Sequence, residues 1–191
     1  LSSNTTASDN TAFGYQSLYL NTTGYQNTAE GKSAGGSITT GIQNTLIGSL
    51  AGDALTTGHS STALGYNALS DSTTAVANTA LGHSAGADLT TGDRNVLVGN
   101  IAGSNLTTAD DATLIGYGAG GGAILTGHDN VGVGTNALYV TTSGFSNVAL
   151  GRSALEANTT GAENVAVGRG SLYSNTTGDY NTSDGAYAMK F

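Results

Sequence analysis

Few side chains in this sequence could carry out acid–base, nucleophilic or metal chemistry. Its 191 residues include three His, no Cys, 13 acidic and 5 basic residues. The absence of Cys excludes a disulfide framework and a thiolate metal site. A net charge of −8, with the five cations spread along the chain, argues against binding of a phosphate backbone. We therefore expect no nucleic-acid partner.

The elements that must position these side chains are internal repeats, marked by a recurrent glycine. The spacing of this glycine is 17 residues nine times and 18 residues once. Counting each repeat from four residues before the glycine gives ten complete repeats over residues 10–180, with partial repeats at 1–9 and 181–191. We expect residues 1–191 to be one segment of a longer array, with the extra residue within 120–123. The glycines are Gly14, Gly31, Gly48, Gly65, Gly82, Gly99, Gly116, Gly134, Gly151, Gly168 and Gly185.

The repeat length and pattern predict one coil of a β-solenoid. Seventeen residues are too few for a pair of helices, and no apolar stripe has helical spacing. Positions 2–4 and 12–14 of the repeat favour strands, and glycines at positions 5 and 15 indicate crowded corners or positive φ. The expected fold is all-β, a parallel β-solenoid whose coils stack about 4.8 Å apart into a rod roughly 50 Å long.

The large aliphatic side chain is at position 9 in some repeats and at position 12 in the others. Where position 9 is Leu, position 12 is polar, and where position 9 is Gly, position 12 is aliphatic. We predict that each coil fills one core slot from either position, beside a small residue at position 8. The Leu repeats pair Leu18 with Asn21, Leu69 with Ser72, Leu138 with Thr141, Leu155 with Asn158, and Leu172 with Asn175. The Gly repeats pair Gly35 with Ile38, Gly52 with Leu55, Gly86 with Leu89, Gly103 with Leu106, and Gly120 with Ile124.

Positions 3 and 4 are both largely apolar, although neighbours on a strand face opposite sides. One side can enter the core of the coil, and the other then needs a cover. Identical chains packed about a rotation axis would supply it, so we expect the chain to self-associate. The alternative is a monomer with a core wide enough for both sets.

Several stretches resemble two known families. Residues 57–65, 91–99 and 160–168 are similar to the T-G-x-x-N-x-[AV]-[IV]-G repeat of trimeric autotransporter adhesin heads of the YadA type. Residues 10–24 and 147–161 resemble the longer repeats of phage tail-fibre proteins. The resemblance implies a left-handed, trimeric β-roll outside the cell, on a virion tail fibre or a bacterial surface. A glycan or protein of the host surface would be its partner.

No group of polar residues departs from the repeat as an active site would, so we expect no enzyme, no catalytic residue, no cofactor and no metal site. His59 and His128 share position 16 but are four repeats apart, and His83 is at position 6. Seven acids cluster at positions 16 and 17, where calcium between coils is one interpretation and a solvated edge is the favoured one. These acids are Asp9, Asp93, Asp110, Asp111, Asp129, Glu163 and Asp179.

Tyrosine and arginine at variable positions are the candidate surface contacts, because they suit sugar or protein partners and neighbouring repeats do without them. Ordinary surface decoration is the alternative. Position 6 carries Tyr15, Tyr66, Tyr117, Arg152 and Arg169, and position 10 carries Tyr19, Tyr139 and Tyr173. Asn at position 1 is predicted to form a structural ladder.

The predicted function is that of a structural or attachment segment, the shaft or head of a fibre that displays many weak contacts. A passive spacer without a ligand is one alternative. The Thr-Thr pairs at positions 13 and 14 suggest another, an ice-binding solenoid, although only one Thr of each pair would face outward. No apolar run reaches the roughly 18 residues of a membrane span, so no membrane-embedded segment is expected.

Overall fold

A computed structural model, which describes residues 2–190, shows a single β-solenoid with one coil per repeat. Eleven three-residue strands form one parallel sheet in chain order, from β1 to β11, which confirms the predicted all-β fold and the coil length of about 17 residues. The strands are β1 Thr11–Phe13, β2 Thr28–Glu30, β3 Thr45–Ile47, β4 Thr62–Leu64, β5 Thr79–Leu81, β6 Val96–Val98, β7 Thr113–Ile115, β8 Val131–Val133, β9 Val148–Leu150, β10 Val165–Val167 and β11 Thr182–Asp184. We number the coils 1 to 11 after these strands.

The strands occupy positions 2–4, and each pairs in register with the strand of the next coil. Thr11 lies opposite Thr28, and the register is kept at the irregular coil, where Thr113 lies opposite Val131. Position 3 points into the coil and is buried from β2 to β11, whereas positions 2 and 4 point outward. The sheet is therefore a wall with one dry face and one outer face.

The predicted second strand at positions 12–14 is wrong. In the described residues this wall contains only an isolated bridge between Leu106 and Leu125. The coil bends at these positions, so several hydrogen bonds between adjacent coils share one carbonyl acceptor instead of forming a ladder. The backbone N–H and the Oγ1 hydroxyl of Thr22 both donate to the Thr39 carbonyl, each at 3.0 Å. A β-favouring composition is not sufficient where the backbone cannot stay extended.

The corners contain more residues with positive φ than the glycine pattern of the sequence predicted. Position 5 is glycine with φ between 116° and 147°, and a Cβ there would strike the backbone of the next coil in all but the last repeat. The position-15 glycines have no positive φ but are equally crowded, so both predicted glycine roles are present. Positions 7, 9 and 17 also have positive φ, at 45° to 61° for their non-glycine residues, which include Leu69 and Ile101.

The shared core slot is confirmed, with one correction. The position-9 leucines and the position-12 aliphatic residues Ile38, Leu55, Leu89 and Leu106 are all at most 3% exposed. Ile124, however, is 64% exposed, and Leu125 fills the slot of coil 7.

The insertion in coil 7 explains this exchange. Thr126 occupies position 13, because its N–H and hydroxyl reach the Thr142 carbonyl, and Gly127 follows it directly. Coil 7 thus has two extra residues, Ala123 and Ile124, and lacks position 14. The extra pair bulges out of the wall, so the insertion extends beyond the 120–123 range expected from sequence.

Position 3 is a third contributor to core volume. Methyl carbons of Leu46 lie 2.8 Å and 2.9 Å from the points where Gly35 and Gly52 would carry a Cβ. Leu97 and Leu114 stand in the same way beside the other position-9 glycines. The five complete repeats with Leu at position 9 have only Ala or Gly at position 3. Core volume is therefore balanced over three positions instead of two.

Candidate functional site

The outer face of the sheet carries a continuous apolar column at position 4. We call the eight side chains from coil 3 to coil 10 the outer column: Ile47, Leu64, Leu81, Val98, Ile115, Val133, Leu150 and Val167. Leu64 and Leu81 are each 43% exposed, and Ile115 is 37% exposed. Acidic residues, Glu30 and Asp184, occupy position 4 on either side of the column. Both faces of the strand are largely apolar in sequence, at positions 3 and 4. Within the chain, only the position-3 face is buried.

Position 6 forms a second column, along the edge that follows the sheet. Its side chains contact one another between coils, since the rings of Tyr66 and His83 stack with centroids 5.3 Å apart. Tyr15, Tyr66 and Tyr117 are 70%, 52% and 56% exposed, and Arg152 and Arg169 are also exposed. These predicted contact residues are therefore available at the surface.

The position-10 tyrosines differ from one another. Tyr19 is 43% exposed and lines a groove with Ser33 and Asp53. Tyr173 is half-buried and lines another groove together with Arg152 and Arg169. Tyr139 is also half-buried, and its ring packs on Gly122, where an added Cβ would lie 2.6 Å from the Cδ1 atom. Tyr139 thus covers the irregular coil and has a structural role.

The acids at positions 16 and 17 stack along one corner, and several of them bond to the backbone. The Asp93 carboxylate accepts a hydrogen bond from the Val76 N–H at 2.7 Å, and Asp110 accepts one from the Asp93 N–H at 2.7 Å. His128 Nδ1 lies 3.0 Å from the Asp110 N–H in the same arrangement. Position 16 therefore serves as a cap for the preceding coil, a role that the sequence pattern did not reveal. Within residues 2–190, no three His, Asp or Glu side chains are grouped to hold a metal ion.

Charge pairing along this corner is local. Arg94 donates two hydrogen bonds to the Asp111 carboxylate, at 2.7 Å and 2.8 Å. These bonds, together with the charge of Arg94, hold the pKa of Asp111 below its usual value. At another edge, burial raises the pKa of Asp53 and of Asp88, and the charge of Asp71 raises both further. That edge therefore carries unbalanced negative charge.

The predicted Asn ladder at position 1 is confirmed. Asn147 donates to the Gly161 carbonyl at 2.9 Å and to the Asn130 side-chain oxygen at 3.1 Å, and its own oxygen accepts the Asn164 N–H at 3.1 Å. The buried amides thereby join consecutive coils. Because their polar atoms are occupied within the wall, these residues do not form a recognition surface.

The two threonines of each pair have different roles. At position 13 the hydroxyl donates to the carbonyl of the next coil in most coils, as in Thr90 to Thr107 at 3.0 Å. At position 14 the side chain is exposed, in one column interrupted at coil 7. The rod thus displays one outward Thr per coil wherever a Thr-Thr pair occupies positions 13 and 14, as the sequence predicted, whereas coil 8 has Ser143 at position 14.

Comparison of the chain with protein-family models, with curated proteins and with solved structures gives no match. Among the described residues, no helix has the length and apolar character needed to cross a membrane.

Proposed function

We propose that this chain is a shaft or head segment of an extracellular attachment fibre, in which three copies pack their outer columns around a common axis. The observation that carries the proposal is the apolar outer column. Its side chains stand on a rigid sheet, in register from coil to coil, and none of the eight is buried by the described residues: four are 37–43% exposed and four are half-buried.

The continuity of this surface favours self-association. Seven coil steps of about 4.8 Å and a width of about 10 Å give a stripe of roughly 350 Å². This area is within the range of the largest apolar patch on a monomeric protein, a patch that often has a binding role, and here it forms one unbroken stripe along the rod. A threefold arrangement closes on itself and gives each chain the same environment, whereas pairing without closure would produce open aggregates.

Attachment is the role that such a rod performs best. Side chains at positions 6 and 10 recur along its length, so weak contacts add through their effective concentration. A bacterial surface adhesin and a viral tail fibre share this mechanism. A passive spacer is the same rod without a ligand, and binding to a glycan array separates it from an attachment head.

An ice-binding role is the second candidate, and the observation that favours it is the exposed Thr column at position 14. A flat face with two outward Thr per coil is the arrangement expected for ice, and this column supplies one. Measurable thermal hysteresis at micromolar protein would support ice binding over attachment.

The molecular mass in solution tests the assembly. We expect native mass spectrometry at micromolar concentration to give three times the 18.8 kDa chain mass. Leu81→Lys, which places a charge in the outer column, should give monomers with an unchanged circular dichroism spectrum. Asn100→Lys, the matched control at exposed position 6, should remain trimeric. A monomeric wild-type chain would contradict the proposal.

A further inference from the structure

Three of the five cations in the chain meet in one groove. Arg152, Arg169 and Lys190 line a groove of about 390 Å³ over coils 8 to 11, together with Tyr173 and Tyr187. One acid, Glu156, is also in its lining, so the described residues of the lining include three basic side chains and one acidic side chain, in a chain with a net charge of −8. This concentration of charge is opposite to that of the rest of the surface.

The two arginines repel each other. Arg152 and Arg169 both occupy position 6 and stand on adjacent coils, about 4.8 Å apart at the backbone. Among residues 2–190, no carboxylate lies within ion-pair distance of either guanidinium. Arg94, by contrast, has Asp111 on the next coil at 2.7 Å. Like charges in such a stack destabilise the sheet edge, and an anion between them would relieve the repulsion.

Aromatic contacts hold two of the three cations in place. The guanidinium carbon of Arg169 lies 5.3 Å from the centre of the Tyr187 ring, and the Lys190 Nζ lies 5.2 Å from the same ring. The Tyr173 hydroxyl lies 3.5 Å from Glu156 Oε1. Contacts of this kind reduce the side-chain entropy that a ligand would otherwise have to remove.

A second groove on the same edge of the rod lacks cations and serves as a comparison. Coils 1 to 3 form a comparable groove of about 240 Å³, with Tyr19 and Asp53 in its lining and no Lys or Arg. The repeat can therefore form a groove lined by tyrosine without cations. Of these two grooves, only the one at coils 9 to 11 carries positive charge.

We infer that this groove binds a sugar that bears a carboxylate, an inference that deepens the proposed attachment function by naming its ligand class. The planar guanidinium matches a carboxylate with two parallel hydrogen bonds. The tyrosine rings offer faces for the C–H groups of a sugar ring. The volume falls in the range of small-ligand sites. A long polyanion is disfavoured, because the rest of the chain is acidic and would repel it.

Glucuronic acid and glucose are a matched pair of probes, because they differ only in the carboxylate. Saturation-transfer NMR measures the binding of each sugar, and the substitutions described next assign it to the groove, which contains two of the nine tyrosines of the chain. We expect glucuronic acid to bind at least about tenfold more tightly than glucose, the difference that one charge-assisted hydrogen-bond pair provides. Equal binding of the two sugars, or binding of acetate as tight as that of glucuronic acid, would overturn the inference.

Substitutions at position 6 locate the site. Arg152→Gln should weaken glucuronic acid binding about tenfold, and the fold should tolerate it because other coils carry Ser49, Asn100 or Thr135 at this position. Lys32→Gln is the matched control, with the same position and charge change but outside the groove, and should leave binding unchanged. Equal effects of the two substitutions would overturn the assignment. Masses measured on the same samples separate the outcomes: a trimer that does not bind glucuronic acid contradicts this inference alone.

Discussion

At the scale of single residues, the core is balanced by exchange among positions 3, 9 and 12. In coil 4, Leu69 fills the slot at 2% exposure, and the Oγ atom of Ser72 is buried without a hydrogen-bond partner. Leu69 also has a φ of 51°, a conformation that glycine adopts more readily. The coil therefore contains a strained leucine and an unsatisfied hydroxyl, where the alternative arrangement would contain neither.

This exchange predicts opposite effects of a single and a double substitution. Leu69→Ala should lower the free energy of unfolding by about 2–5 kcal/mol, because it leaves a cavity in a narrow core. Leu69→Gly combined with Ser72→Leu should restore part of this loss, since it recreates the pairing of Gly52 with Leu55 in the preceding coil but has Ala63 where that coil has Leu46. Thermal and urea unfolding measure both variants. A double variant as unstable as the single one would contradict the shared slot.

At the scale of the element, one edge of the rod accumulates negative charge in consecutive coils. Asp53, Asp71 and Asp88 occupy positions 10 and 11 of coils 3, 4 and 5. Burial raises the pKa of Asp53 and of Asp88, and the negative charge of Asp71 adds to this effect. A raised pKa in the folded state means that these carboxylates, when charged, oppose folding at neutral pH, and the opposition disappears as pH falls through the raised pKa values.

Asp71→Asn should accordingly stabilise the chain at pH 7, by no more than about 0.5 kcal/mol because the groups are partly exposed. The gain should disappear below about pH 4, where the acids of the parent chain become protonated. Glu163→Gln removes the same unit of charge at an exposed site away from this edge and serves as the control. Unfolding midpoints over the pH range measure both variants. A gain independent of pH would contradict the electrostatic explanation.

Sequence periodicity predicted the elements in which a backbone geometry goes with a particular residue type. It failed where many residue types adopt the same geometry. The eleven strands, the Asn ladder and the position-9 and position-12 exchange each have a residue signature that repeats. The left-handed corners at positions 7, 9 and 17 have none, because Ser, Asn, Leu, Ile and Asp all adopt this conformation here. In coil 7, Ile124 and Leu125 are equally apolar, and the register set by the two hydrogen bonds of Thr126 to the Thr142 carbonyl accompanies the burial of Leu125.

The candidate site also combines features that the sequence predicts with features that it does not. Exposure of Tyr15, Tyr66 and Tyr117 follows from their variable position in the repeat. The caps made by Asp93 and Asp110 depend on the direction of single N–H groups, which composition does not indicate. The groove at Arg152 and Arg169 needs side chains from four coils, so no single repeat carries its signature.

At the scale of the whole molecule, each coil contacts only its neighbours, so stability should be a sum of local terms. Asn147→Ala leaves the Asn164 N–H without its acceptor, at a cost of about 1–3 kcal/mol, while the Gly161 carbonyl keeps the Asn158 side-chain amide as its donor. Hydrogen exchange should therefore accelerate roughly ten- to a hundredfold in coils 8 to 10 and stay unchanged in coils 2 to 4. Asn100→Ala, the same substitution at an exposed position, should alter neither region. Equal acceleration along the entire rod would instead show that the coils unfold as one cooperative unit, through contacts beyond nearest neighbours.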